Sequence, residues 1–407
     1  MNPTLLVEAL LAAVRAQDFG ATPDTLRGGQ AVAHFPSIDL AVALFPPDGG
    51  TPVWANVLFS REHPEGHVAQ IGADASAVRG LRFDADQTDE KLVSVAWLPD
   101  SDWQRMAWQP LAGSGPTRFV APYPASQIKL MVAVGVALTV DHGLADWHDD
   151  WRHGDRVRSV DAWCEDMIAT SCNDSTSAMV ALLHARGLIV RDGERGTHNA
   201  LHELFNALGL PTLRLADTRP DGGWGNAAGA GVGHLQMTAW DTLRLLWLLD
   251  ADAPRGPWLS AGAPSLLSVA SRERIHGWLA AQGRHEILSS TALAGVPGWT
   301  PGLPAHLPAR WIADDGSARV GEAAYPADVR SANARATLHF AHKTGTTENY
   351  ASDAGIVRAI APQRRHYLVA LLTNLGTRYA SDPHCATTWR IPALGAAIDA
   401  AIADWVE

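Results

Sequence analysis

At 407 residues the chain is long enough for one large domain or two ordinary ones, and 47% hydrophobic with 18% charged residues describes a folded globular protein. A net charge of −11 excludes the basic face that nucleic-acid binding requires. No apolar run reaches the roughly 20 residues that span a bilayer, and three cysteines without CxxC spacing (Cys164, Cys172, Cys385) imply neither a disulfide framework nor a zinc site.

Leu5, Leu6, Ala9, Leu10 and Val14 recur at helical spacing. No Lys or Arg precedes Leu5 and Glu8 interrupts the run, so the segment reads as an amphipathic helix, not a secretory signal, and the protein as cytoplasmic. Two apolar runs, Ile38 to Phe45 and Thr51 to Phe59, flank Pro46-Pro47-Asp48-Gly49-Gly50 and form a hairpin or small sheet. The charged stretch Phe83 to Lys91 reads as a boundary, giving an N-terminal accessory α+β unit over 1–90 and a main domain over 91–407. A second hairpin is expected from Leu92–Leu98 and Trp103–Trp108, turning at Pro99-Asp100-Ser101-Asp102.

Helical segments follow at Ala125–Val140, Asp161–Thr170 and Ser175–Leu183. A Gly-rich loop spans Gly222–Gly233, and further helices run from Thr238 to Leu249 and from Ser271 to Gln282 within the Pro-, Gly- and Ala-rich region 251–335. Thr337–His342 and Tyr367–Leu372 read as strands, and Pro392–Trp405 as a closing helix. Strand pairs near both ends around a helical middle predict an α/β sandwich whose sheet unites N- and C-terminal strands.

Lysine is scarce: Lys91, Lys129 and Lys343 are the three among 32 basic residues. Arginine does not release its proton in a protein, so a chain that avoids lysine keeps one where a neutral amine or a compact charge is needed. Two of the three fall in motifs. In Ser126-Gln127-Ile128-Lys129, residues three apart on a helix share a face, so a neutral amine at Lys129 can take the Ser126 hydroxyl proton. In Ser171-Cys172-Asn173, the hydroxyl can relay a proton and the amide can hold a substrate acceptor. In Lys343-Thr344-Gly345-Thr346, at the end of a strand, the lysine offers charge to a substrate carboxylate and tunes Lys129, while glycine admits the substrate close to the backbone. Taken singly, the first two read equally as a serine helix cap and as turn residues.

Together, in this order and in helix, turn and strand contexts, they resemble the S-x-x-K, S-D-N and K-T-G set of class A β-lactamases and penicillin-binding proteins. The flanks Ala162–Asn173 and His342–Val357 are similar too, and the resemblance covers about residues 90–405. It implies a β-lactamase/transpeptidase-like α/β sandwich, an antiparallel sheet plus a helical subdomain, here with an extra N-terminal unit. It implies Ser126 as nucleophile, Lys129 as its base and Ser171 as proton relay. Asn173, Lys343, Thr344, Gly345 and Thr346 would contact substrate, with the oxyanion at the backbone N–H groups of Ser126 and Thr346.

The expected function is an active-site serine hydrolase or acyltransferase acting on an amide, ester or β-lactam through an acyl-enzyme. The alternatives are a β-lactamase and a non-catalytic binding protein on the same scaffold. No cofactor or metal is expected. The partner is a small-molecule or peptide substrate, with neither nucleic acid nor membrane, and the oligomeric state is left open.

Cys172 stands where the family has aspartate, and no glutamate occurs between Glu203 and Glu273, where class A β-lactamases carry the deacylating glutamate. Asp217 and Asp221 fall in that neighbourhood. His198, His202 and Glu203 read as a solvated helix face rather than zinc ligands. The His- and Asp-rich stretch Asp141–Asp155 reads as a surface loop packed by Trp147 and Trp151, and Gly222–Gly233 lacks the context of a phosphate cradle.

Overall fold

The computed structural model describes residues 2–87, 94–191, 197–224 and 235–406. Its centre is a six-stranded antiparallel sheet formed by β1 (Ile38–Leu44), β2 (Val53–Ser60), β3 (His63–Val68), β7 (Leu338–Thr346), β8 (Ala351–Ala359) and β9 (His366–Thr373), in the order β7-β8-β9-β1-β2-β3. The junction between the two ends of the chain is β1 against β9, with Val42 opposite Val369. Every residue of β1 is buried, as expected of a strand covered on both faces.

Alternation sorts the side chains into two layers. Ile38, Leu40, Val42 and Leu44 face α1 (Pro3–Arg15) and the C-terminal helix α7 (Arg390–Val406), joining Leu6, Leu10, Leu394 and Ile398 in one core. Ala41 and Ala43, with Leu368, Ala370 and Leu372, face the helical subdomain. That subdomain holds α2 (Lys129–Asp141), α3 (Val160–Ala169), α4 (Asn173–Ala185), α5 (Ala239–Leu249) and α6 (Val269–Ala280). Helix α2 is buried at every position from Lys129 to Thr139, so it is the core axis of that layer and not an amphipathic surface helix.

The sheet that unites N- and C-terminal strands is as predicted. The division at residue 90 is corrected, because β1, β2 and β3 complete the main sheet and α1 packs against α7. A buried ion pair reinforces the union: Arg378 Nε and Nη2 donate to Asp24 at 2.7 and 2.6 Å, with both side chains 2% exposed.

The boundary stretch overlaps the end of β4 (Leu81–Ala85), which pairs antiparallel with β5 (Gln109–Ala112) and parallel with β6 (Thr117–Ala121). Residues 88–93, including Lys91 and the start of the second expected hairpin, lie outside the described residues. From Ser94 to Trp108 the chain is irregular rather than a hairpin; Trp97, Trp103 and Trp108 pack edge to face, and Trp103 Nε1 donates to Ala96 O at 2.7 Å. The end of the Gly-rich loop, residues 225–233, also lies outside the described residues.

Candidate active site

A 3₁₀ turn, Ala125–Ile128, leads into α2 and carries Ser126 half-buried at its start. Two non-glycine residues with left-handed backbone mark the site, Ala125 (φ 51°) just before Ser126 and Ser171 (φ 65°) between α3 and α4. Such conformations are costly outside glycine and are held by their surroundings. Here Ser352 Oγ donates to Pro124 O at 2.7 Å, tying the turn to β8.

The motif strand is longer than expected, since β7 runs to Thr346 and Lys343-Thr344-Gly345-Thr346 lies within it. Gly345 has a reason the sequence did not give. A Cβ there would meet Pro124 O at 2.5 Å, Ser352 Oγ at 2.6 Å and Gln127 N at 2.8 Å, so glycine lets the strand pass beside the Ser126 turn.

Lys129 Nζ donates to Ser171 O at 2.5 Å, to Asn173 Oδ1 at 2.8 Å and to Ser171 Oγ at 3.2 Å. Lys343 Nζ donates to the same Ser171 hydroxyl at 2.9 Å and to Thr344 O at 2.8 Å. Both lysines are fully buried. Burial lowers the Lys129 pKa to about 7, the nearby Arg284 helping and Cys172 and Asp166 opposing. Burial, with Lys129 and Arg284 alongside, holds Lys343 well below the usual lysine range. The two amines therefore bracket one hydroxyl, and the geometry permits a proton to pass along Lys343, Ser171 and Lys129.

The Ser171 turn is braced by Asp166. Its carboxylate accepts from Ser175 Oγ at 2.6 Å, Thr170 Oγ1 at 3.0 Å and Arg158 Nη1 at 3.0 Å. Burial raises the Asp166 pKa, but these donors outweigh it and leave the group below its ordinary value. Trp224, at the start of the Gly-rich loop, places its ring 5.7 Å from Lys129 Nζ and donates to Ser177 Oγ at 3.2 Å.

Behind β7, His342 Nδ1 lies 2.7 Å from Asp353 Oδ1, both fully buried. Burial pushes the imidazole down and the carboxyl up, so each favours its neutral form.

Ser126, Ser171, Asn173 and the β7 residues Thr344, Gly345 and Thr346 line one cavity of about 190 Å³. Lys129 and Lys343 reach it through Ser171. The structure thus brings together all eight residues singled out in the three motifs. Sequence reasoning missed two further lining residues, Arg284 and Glu286. They come from the Pro-, Gly- and Ala-rich region 251–335 and match no motif spacing; the cluster Arg284-His285-Glu286 was the only signal. Asp217 and Asp221 do not line the cavity. Both are largely exposed and pair with Arg191 and Arg219.

His202 Nε2 accepts from Leu215 N at 2.8 Å, and burial brings its pKa down to about 4, so it is a structural acceptor. A larger groove of about 1260 Å³, between α1, β2 and α7, contains none of the motif residues.

No protein-family model matches the chain, and no curated protein matches it. Among solved structures it is similar to class A β-lactamases and penicillin-binding proteins. A penicillin G acyl-enzyme complex of a PBP-A mutant is 13% identical, with 98% of this chain and 96% of that one covered at a TM-score of 0.47. A β-lactamase from Sphaerobacter thermophilus is 14% identical, with 97% of each chain covered at 0.46. A mutant of the class A β-lactamase of the last common ancestor of Gram-negative bacteria is 14% identical, with 96% and 98% covered at 0.49.

Proposed function

We propose that the chain is an active-site serine hydrolase or acyltransferase that forms an acyl-enzyme at Ser126 on an amide, ester or β-lactam. The observation that carries this reading is Lys129, buried beside Ser171 and Asn173 with a pKa of about 7. Neutral Lys129 takes the Ser126 hydroxyl proton as Oγ attacks the carbonyl carbon. The oxyanion is received by the backbone N–H groups of Ser126 and Thr346. Ser171 gives its proton to the leaving group and is reprotonated from the lysine pair. Asn173, whose Oδ1 is engaged by Lys129, presents its amide nitrogen to the acyl side. Water or an amine then resolves the ester. With Asp217 and Asp221 on the surface, neither supplies the carboxylate of the class A deacylation route.

Intact-protein mass measured over time with benzylpenicillin and, separately, with an activated neutral ester tests this. Wild type should gain one acyl group from at least one donor, and Ser126→Ala, folded by circular dichroism, from neither. Labelling of Ser126→Ala at the wild-type rate, or neither adduct nor turnover in wild type, overturns the reading and favours a binding role.

A further inference from the structure

Arg284 is a third cation beside the two lysines, and none of the motifs accounts for it. The segment that bears it is laced to the end of α3 and to the Ser171 turn: Gln282 Nε2 donates to Ile168 O at 2.9 Å, Gly283 N to Ala169 O at 3.0 Å and Arg284 Nε to Thr170 O at 3.4 Å. Its far end is fixed by Leu288 N, which donates to Asp353 Oδ2 at 3.1 Å. The guanidinium is thereby held at the residue before Ser171, whose hydroxyl both buried lysines share. Arginine does not release its proton, so its charge is permanent, whereas a lysine amine gives one up where burial and like charge combine.

The other charges around the lysines do not cancel it. Arg284 Nη1 and Glu286 Oε1 are 3.7 Å apart, beyond hydrogen-bond reach, and Glu286 Oε2 accepts from the Tyr325 hydroxyl at 2.5 Å. Burial and the neighbouring carboxylate push the Tyr325 phenol well above its usual range, so it stays neutral. Arg284 and Glu286 thus form a dipole. Burial is the largest influence on Lys129, with Arg284 lowering it further and Cys172 and Asp166 opposing. The Asp166 carboxylate is shared with Arg158, Thr170 and Ser175. At Lys343, burial, Lys129 and Arg284 act downward, and Asp353 and Glu286 oppose them. Asp353 faces His342, and both favour their neutral forms.

We propose that Arg284 is a positioning residue for the first proton transfer: its permanent charge restricts the lysine pair to one shared proton, so that Lys129 meets Ser126 as the free amine. This deepens, and rests on, the reading of Lys129 as the base for Ser126. With Arg284 in place, a second proton on the pair would set three cations around one hydroxyl beside a cavity of about 190 Å³. Lys343, donating to Ser171 Oγ and Thr344 O, keeps the shared proton, and Lys129 gives up its own. As Ser126 Oγ attacks, its proton passes to Lys129 Nζ and the pair carries two. Ser171 relieves the excess by handing its proton to the leaving group and taking one from the pair. One proton leaves Ser126 and one reaches the leaving group, so the pair returns to its starting charge.

The scarcity of lysine makes the test direct. Protein labelled with carbon-13 at the lysine Cε shows three resonances, for Lys91, Lys129 and Lys343. Assigned with Lys91→Arg and Lys129→Arg, they report the protonation of each amine as pH is raised. In wild type, Lys129 and Lys343 should titrate as a coupled pair in two steps, one of them near neutral pH. In Arg284→Gln that step should rise by about one pH unit or more, and in Glu286→Gln, which removes the opposing charge, it should fall. Loosened packing would hydrate the lysines and raise the step in both variants. That outcome, or an unmoved step in folded Arg284→Gln, overturns the proposal. Acylation by a neutral ester should follow in parallel: Arg284→Gln about tenfold slower than wild type at about pH 7, yet reaching the same plateau in alkali. An equal loss at every pH also overturns the proposal. Failure of wild type to acylate defeats the nucleophile reading instead, and the lysine titration still decides whether Arg284 sets the charge of the pair.

Discussion

Lys129 Nζ has three acceptors within reach, Ser171 O, Asn173 Oδ1 and Ser171 Oγ, so a protonated amine is fully occupied. The neutral amine keeps two of these bonds and gains a lone pair that can accept a proton. Because its pKa is lowered from 10.5 to about 7, the neutral fraction grows as pH rises through about 7. The acylation rate with a neutral ester should therefore climb across that range and level off above it, where an ordinary lysine would still be climbing near 10.5. A profile flat between pH 6 and 8 (about one unit either side of the midpoint) would remove Lys129 from the role of base. Lys129→Arg should lower the rate by about 10²–10⁴-fold while the protein stays folded, since arginine does not give up its proton. At this scale the sequence was informative because lysine is so scarce. The avoidance of lysine drew attention to Lys129 and Lys343, and both sit at one hydroxyl. Arg284 and Glu286 were illegible for other reasons, since arginine is abundant and no spacing links Glu286 to Ser126.

Elements meet most tightly where β7 crosses the Ser126 turn. Gly345→Ala would force a methyl group onto Pro124 O and Gln127 N, backbone atoms that cannot swing aside. It should cost about 1–3 kcal/mol of stability in denaturant unfolding and reduce acylation, because relief of the clash moves the nucleophile. Unchanged stability together with unchanged acylation would show that the strand and the turn are not coupled. Helices and strands were largely readable: α3, α5, α6 and α7 lie within two or three residues of the segments read from periodicity and caps, such as Thr238 before α5. The span from Ser94 to Trp108 was not readable. Its apolar and aromatic residues mimic a strand pair, yet the indole N–H groups of Trp103 and Trp108 bond to irregular backbone, which no alternation pattern encodes.

For the whole molecule, the buried Asp24–Arg378 pair joins the first turns of the chain to the loop after β9, and Arg378 Nη1 also donates to Trp97 O at 3.2 Å. Removing one partner leaves a buried charge uncompensated, so Asp24→Ala should lower stability by about 3–5 kcal/mol. The loss should shift one cooperative transition, seen alike by far-ultraviolet circular dichroism and tryptophan fluorescence. Early melting of a separate N-terminal part would contradict the shared sheet. The division at residue 90 failed because a charged run and a new strand look alike in one dimension; β4 runs into the stretch taken as a boundary and ends inside it. The partner of β1 is β9, and the sequence signals each strand without saying which will pair.

That pairing fixes the order in which the protein can assemble. As the chain leaves the ribosome, β1 and β2 can pair at once, but the other edge of β1 has no neighbour until β9, far along the chain, is made. Closure of the sheet is therefore a late and non-local event, of the kind that folds slowly. Until then the nascent hairpin offers an unpaired, strongly apolar edge, and chains halted short of Thr373 should be the main source of aggregation during expression.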